Sequence, residues 1–93
     1  MLKRESKLEK EIKDYCKKTG WHYWKFTSPA NKGVPDRMIF KNGVILFFEL
    51  KRKGNTTDKM QDYQINLMRD AGLKVFVINS FDDAKYVLDR LSL

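Results

Sequence analysis

The sequence has too few cysteine and histidine residues for a disulfide, a structural zinc site or a thiol-based active site. Cys16 is its only cysteine and His22 is its only histidine. No intramolecular disulfide and no set of Cys and His ligands can therefore form. This composition predicts an intracellular, reduced protein.

Long hydrophobic segments are also missing. The longest uninterrupted apolar run covers residues 44–48, whereas a membrane-spanning helix needs about 20 residues. The N-terminal stretch MLKRESKLEK lacks the apolar segment of a secretory signal. We therefore expect a protein that neither enters nor crosses a membrane. Its 93 residues predict a single domain, 1–93, with a core small enough that a homodimer is a reasonable expectation.

Acidic residues are scarce in the middle of the chain. The formal net charge is +7, and residues 25–59 carry eight basic but only three acidic side chains. Such a bias favours a polyanionic partner, although many soluble proteins without one share it.

Apolar periodicity and turn signals predict the order α-β-β-β-α-β-α. The predicted helices cover residues 4–18, 57 or 58 to 71, and 80 onward, and the predicted strands cover 21–27, 37–40, 44–51 and 73–78. Met60 and Leu67, with Tyr63 or Gln64 and with Met68 or Ala71, fall on one side of the second helix. The crossover through this helix favours a parallel fourth strand, so we expect an α/β fold whose mixed four-stranded sheet is flanked by helices.

Two acidic residues of the middle segment are predicted to lie side by side. Asn42 and Gly43 form a strong hairpin signal, and counting outward from this turn places Asp36 opposite Glu49. Opposite residues of antiparallel strands have Cβ atoms about 4.5–5.5 Å apart, and two like charges at that distance repel unless a cation lies between them. A strand end that simply emerges into solvent is the alternative interpretation.

Oxygen ligands of this kind suit Mg²⁺ or Mn²⁺. Asp36, Glu49, the backbone carbonyl of Leu50 and waters would form such a site. Lys51 shares a strand face with Glu49 and brings an ammonium group that can position or help to deprotonate a water molecule. In the most basic third of the chain, this chemistry favours phosphodiester hydrolysis.

The motifs G-V-P-D, ending at Asp36, and E-L-K, from Glu49 to Lys51, resemble those of the PD-(D/E)XK nuclease superfamily. Within it the chain is most similar to the VRR-NUC (virus-type replication-repair nuclease) domain, in particular to the short stand-alone members of phages and bacteria. The resemblance implies a restriction-endonuclease-like αβββαβ(α) core and a divalent-metal-dependent DNA endonuclease of the intracellular compartment, with no organic cofactor. It also implies a homodimer that acts on branched DNA such as four-way (Holliday) junctions.

Carried over residue by residue, the resemblance makes Asp36, Glu49 and the Leu50 carbonyl metal ligands and Lys51 the catalytic lysine. The family's glutamate in the first helix most resembles Glu9, as a metal ligand directly or through water. Glu5 competes for this role, and a solvated carboxylate paired with a neighbouring lysine is the plain alternative. The family's glutamine in the second helix most resembles Gln61, and Gln64 stays open.

Six basic residues flank the proposed site in the sequence and are candidate phosphate contacts, with ordinary solubility as the alternative: Lys25, Lys32, Arg37, Arg52, Lys53 and Lys59. The aromatic residues of segment 21–26 could stack on bases or fill a dimer interface, but we expect them to build the core.

Two other functions compete with structure-selective cleavage. A non-catalytic basic DNA-binding module has no use for adjacent carboxylates, because they repel phosphate. A restriction-type or nicking endonuclease on duplex DNA would need a recognition element for which 93 residues leave little room.

Overall fold

The computed structural model describes residues 6–25 and 27–92. Its helices are α1 (Lys7–Thr19), α2 (Lys59–Asp70) and α3 (Phe81–Leu91), and its strands are β1 (His22–Lys25), β2 (Arg37–Lys41), β3 (Val44–Leu50) and β4 (Lys74–Ile78). The predicted order is therefore confirmed. Glu5, the competitor of Glu9, and Phe26 lie outside the described residues. Within the described ranges, no helix is long and apolar enough to span a bilayer.

Local capping signals set the helix ends. The Ser6 hydroxyl accepts a hydrogen bond from the Glu9 amide at 3.0 Å and begins α1. The left-handed Gly20, with φ of 87°, ends the same helix. At the start of α2, Asp58 and Gln61 form a reciprocal capping box.

The four strands form one sheet in the order β1-β2-β3-β4, with β1, β2 and β3 antiparallel and β4 parallel to β3. Asn42 and Gly43 both have positive φ, as a two-residue hairpin turn requires. Arg37 pairs with Phe48, which is the predicted register. Both the α/β fold and its mixed sheet flanked by helices are confirmed.

Helices cover the two faces of the sheet unequally. On the first, which we call the α1 face, α1 and α3 bury the main core, including Ile12, Ile39, Leu46, Phe48 and Leu88. On the other, the α2 face, α2 buries a smaller cluster of Phe47, Ile65 and Val75, with Met38 and Met68 at its border.

The predicted apolar side of α2 is wrong for three of its residues. Met60, Tyr63 and Leu67 are 50%, 62% and 51% exposed. The helix packs through Met68, which the prediction included, and through Ile65, which it did not, because the orientation of α2 over the sheet is set by tertiary contacts that its own periodicity does not specify.

Candidate metal and nucleic-acid site

Asp36 and Glu49 meet at the end of the β2–β3 hairpin. Asp36 immediately precedes β2, and the register that pairs Arg37 with Phe48 brings it opposite Glu49. Glu49 is 8% exposed, whereas the Asp36 side chain is 51% exposed. The pair thus consists of one buried and one accessible carboxylate.

The loop before Asp36 is shaped by a glycine. Gly33 has φ of +88°, and a Cβ atom there would lie 2.8 Å from backbone atoms of Met60 at the start of α2. Any other residue would therefore push the loop away from α2. This close approach sets the loop that carries Asp36 beside the helix that carries Gln61.

Glu49 has two polar partners on its Oε2 atom. Gln61 donates to it from Nε2 at 3.1 Å, and Lys51 Nζ lies 3.7 Å away. The Oε1 atom of Gln61 accepts a hydrogen bond from the Asp58 amide in the capping box, which fixes the orientation of its amide group. Gln64, the open alternative, donates instead to the Lys32 carbonyl at 3.1 Å.

The electrostatic environment of Glu49 disfavours its charged form. Burial raises the pKa of this carboxyl, and the negative charge of Asp36 raises it further. Lys51 and Arg37 lower it, but not enough to cancel the increase. Burial and the neighbouring Asp36 therefore outweigh the two cations in their effect on Glu49.

The Leu50 carbonyl points toward the same place. The Lys51 amide donates to the Ile78 carbonyl of β4 at 2.8 Å, and the intervening peptide bond is trans. The Leu50 carbonyl therefore points away from β4, toward the strand side where Asp36 lies. Continuing the register of the hairpin beyond Arg37 and Phe48 puts Pro35 opposite Leu50, and proline has no amide hydrogen to donate.

A second cluster of charged residues lies around Glu9 on the α1 face. Arg37 donates to Glu9 Oε2 from Nε at 2.6 Å, and its Nη2 atom lies 2.6 Å from the same oxygen. The Tyr23 hydroxyl donates to the same oxygen at 3.0 Å, and Lys25 Nζ lies 3.5 Å from Oε1. Burial raises the pKa of Glu9, but these partners outweigh it and hold the pKa below its usual value.

Arg37 connects this cluster to the carboxylate pair. Its Nη1 atom lies 2.7 Å from Asp36 Oδ1, and its side chain is only 13% exposed. The sequence indicated Arg37 only as a phosphate contact and did not reveal this bridging position. Among residues 6–25 and 27–92, no three His, Cys, Asp or Glu side chains group closely enough to hold a metal ion. Glu9 is thus not brought together with Asp36 and Glu49, and its role as a metal ligand stays a prediction.

A groove of about 640 Å³, which we call the basic groove, is lined by Glu9 and by Leu50 and Lys51, the two residues that follow Glu49, but not by Asp36 or Glu49. Most of the predicted phosphate contacts are found there: its walls include Lys25, Arg37, Arg52 and Lys53, together with Lys51. Lys32 and Lys59 are exposed on the loop and helix that flank Gln61. Their contacts with phosphate stay predictions.

Comparison with known proteins gives two informative similarities. No family model matches the sequence. A curated protein of Acyrthosiphon pisum secondary endosymbiont phage 1, named "Putative nuclease p44", is 35% identical over 82 residues, which cover 87% of this chain and 88% of that protein. A solved structure described as "VRR_NUC domain" matches with a TM-score of 0.81 and 26% identity, over 90% of this chain and 92% of that one.

Proposed function

The chain belongs to the VRR-NUC family of nucleases, and from this premise we propose that it is a divalent-metal-dependent endonuclease that hydrolyses phosphodiester bonds in DNA. The observation that carries the proposal is the pair formed by Asp36 and Glu49. Glu49 is buried, its pKa is raised by burial and by Asp36, and the surrounding segment is basic. Without a cation, the repulsion between the two carboxylates and the burial of Glu49 cost folding free energy; a bound cation would offset both.

The donor set fits Mg²⁺ or Mn²⁺. Two carboxylates and a main-chain oxygen directed toward them are hard ligands, and Mg²⁺ commonly keeps several waters beside one or two carboxylates. Asp36, Glu49 and the Leu50 carbonyl would hold the ion. When bound, it would stabilise charge on the phosphate and lower the pKa of a bound water.

The chain's own residues have distinct tasks in this proposal. Lys51 lies close to Glu49 and holds or moves a proton of the attacking water. Gln61, fixed by the capping box, orients the Glu49 carboxylate through its hydrogen bond. The basic groove binds the flanking phosphates.

We further propose branched DNA, such as a four-way junction, as the substrate and a homodimer as the active form, inside a bacterial or phage-infected cell. A two-fold dimer presents two sites to the two strands of a symmetric junction. The exposed side of α2, with Met60, Tyr63 and Leu67, offers apolar area for a second copy. Sedimentation at micromolar concentration tests this point, and a species of 11.1 kDa alone would remove the dimer.

The decisive experiment compares labelled linear duplex, single strand, flap and four-way junction, each with Mg²⁺, Mn²⁺ or EDTA. Wild type is expected to cleave the junction only with metal, and Glu49→Gln is expected not to cleave it. Binding without cleavage under every metal would favour the non-catalytic binding module. Equal cleavage of plain duplex would favour the restriction-type or nicking enzyme.

A further inference from the structure

Part of the α2 face is not covered by any described helix. The helix α2 reaches as far as Met38, and beyond it the side chains of His22, Trp24, Phe40 and Ile45 form what we call the open patch. Trp24 is 56% exposed and Ile45 is 51% exposed. The expectation that the aromatic residues of segment 21–26 build the core is thus wrong for Trp24, while Trp21, at 4% exposed, is in the core.

The aromatic rings of the open patch support one another. Phe40 stacks on His22 with ring centroids 4.9 Å apart and an interplanar angle of 23°. It also meets Trp24 edge-on, at 4.9 Å and 84°. Trp24 is therefore held in place by a neighbour while much of its surface stays accessible to solvent.

The open patch is continuous with the carboxylate pair. Trp24 pairs with Met38, and Met38 pairs with Phe47, so these side chains share the sheet face of Glu49. Trp24 is one strand and two residues away from Asp36, which corresponds to about 8 Å between backbones. That separation is between two and three base steps of about 3.4 Å.

The charge around the open patch favours an anionic occupant. Between residues 20 and 57 the chain has no acidic residue except Asp36 and Glu49, but it has seven lysines and arginines, of which Lys25 and Arg37 pair with Glu9 on the α1 face. Beside Trp24 itself, Lys13 and Lys17 of α1 line a pocket together with Asp14. A second copy of the chain would bring a like-charged surface to this patch, whereas a nucleic acid offers flat apolar bases on a polyanionic backbone.

We infer that Trp24, supported by Phe40, is a stacking platform for an unpaired nucleobase of the DNA strand that passes through the carboxylate site. This inference rests on the proposed function and deepens it, since it names a residue that selects the substrate. A base that is already unstacked, at a branch point or in a flap, reaches Trp24 without the cost of opening a duplex. Trp24 therefore favours branched and single-stranded DNA over continuous duplex.

The test measures binding in EDTA, where no cleavage occurs, with single-stranded, flap and duplex DNA of equal length. Trp24→Ala is expected to weaken binding of the first two by about tenfold, within the roughly 5- to 150-fold range for loss of one stacked base, and to change duplex binding less than about twofold. Trp24→Phe, which keeps an aromatic face, is expected to retain most of the affinity. Tyr86→Ala, which removes a 62% exposed aromatic ring from α3, is the matched control and is expected to bind as wild type.

Tryptophan fluorescence gives an independent readout. Single-stranded DNA is expected to quench the emission of wild type, and this quenching is expected to be lost in Trp24→Phe, which keeps only the buried Trp21.

Unchanged single-strand affinity in Trp24→Ala, or an equal loss on duplex, would overturn the inference. Loss of a dimer in Trp24→Ala would instead assign the open patch to contacts between copies. Metal-dependent cleavage of the four-way junction by wild type keeps the proposed nuclease function intact in each of these cases, whereas its absence in wild type removes that function itself.

Discussion

Glu9 and Glu49 are buried carboxylates on opposite faces of one sheet, and they differ in what neutralises them. Glu9, 4% exposed, is surrounded by Arg37, Tyr23 and Lys25, and its pKa is lowered. Glu49, 8% exposed, has Asp36 as its neighbour, and its pKa is raised. Burial alone therefore does not distinguish a candidate metal ligand from a structural carboxylate; the charges around the buried group do.

The largest expected effect is on cleavage. Asp36→Asn, Glu49→Gln and Lys51→Ala are each expected to reduce the rate by on the order of 10³-fold or more, since each removes a group that acts at the reacting phosphate. Gel assays on the preferred branched substrate measure this rate. Binding in EDTA should be unchanged or tighter for the two acid variants, because repulsion with phosphate is relieved.

Asp82→Asn and Lys74→Ala are the matched controls for these changes. Both residues are exposed and far along the chain from the site, so their variants should cleave as wild type. Wild-type activity in Lys51→Ala would remove this lysine from the mechanism.

Stability should respond in opposite directions on the two faces. Glu9→Gln is expected to cost about 3 kcal/mol of unfolding free energy, because it breaks a buried ion pair and leaves Arg37 undercompensated. Glu49→Gln is expected to stabilise the protein in EDTA, because it removes a buried charge that faces Asp36. Urea denaturation measures both values, and Glu11→Gln, also on α1, is the control. Equal changes in unfolding free energy for Glu9→Gln and Glu49→Gln would contradict the difference between the two carboxylates.

Mg²⁺ should stabilise the fold by binding to the carboxylate pair of Asp36 and Glu49 and not to the cluster around Glu9. At about 100 times its dissociation constant, an ion that binds the native state adds about 2.7 kcal/mol, which thermal unfolding detects. The shift is expected in wild type and is expected to be lost in Glu49→Gln and Asp36→Asn. Its loss in Glu9→Gln as well would support the predicted role of Glu9 as a metal ligand, and its retention would restrict the ligands to the carboxylate pair.

The smallest expected effect is on the pH dependence of stability. Glu49 binds its proton more tightly in the folded state than in the unfolded state, where the pKa is about 4.5. As pH rises from about 4.5 through the raised folded pKa, the folded state therefore loses stability on account of this group. Glu9 acts in the opposite sense: its lowered pKa gives stability that is complete above about 4.5 and is lost as pH falls through the folded pKa.

Unfolding in EDTA across this pH range measures the difference between wild type and each variant. Above pH 4.5, the advantage of Glu49→Gln over wild type should grow with pH. The stability that Glu9→Gln loses relative to wild type should shrink only below pH 4.5. A pH-independent difference for Glu49→Gln would contradict the raised pKa.

Local signals were sufficient for the hairpin and for the pairing of its charges. Asn42 and Gly43 fix a two-residue turn, and a turn of known length fixes the register of the strands that it joins. The juxtaposition of Asp36 and Glu49 could therefore be predicted, and the observed pairing of Arg37 with Phe48 agrees with it. The choice between Gln61 and Gln64 stayed open, since one helical turn separates them and only the seating of α2 brings Gln61 to Glu49.

The sequence by itself determined the order of elements, the helix caps and the register, because each depends on residues close together in the chain. Tertiary structure alone decided which side of α2 is buried, that Arg37 bridges Glu9 and Asp36, and that Trp24 stays accessible while Trp21 does not. These features depend on how each helix is rotated and placed over the sheet. That placement is set by the packing of residues far apart in sequence, about which local periodicity carries no information.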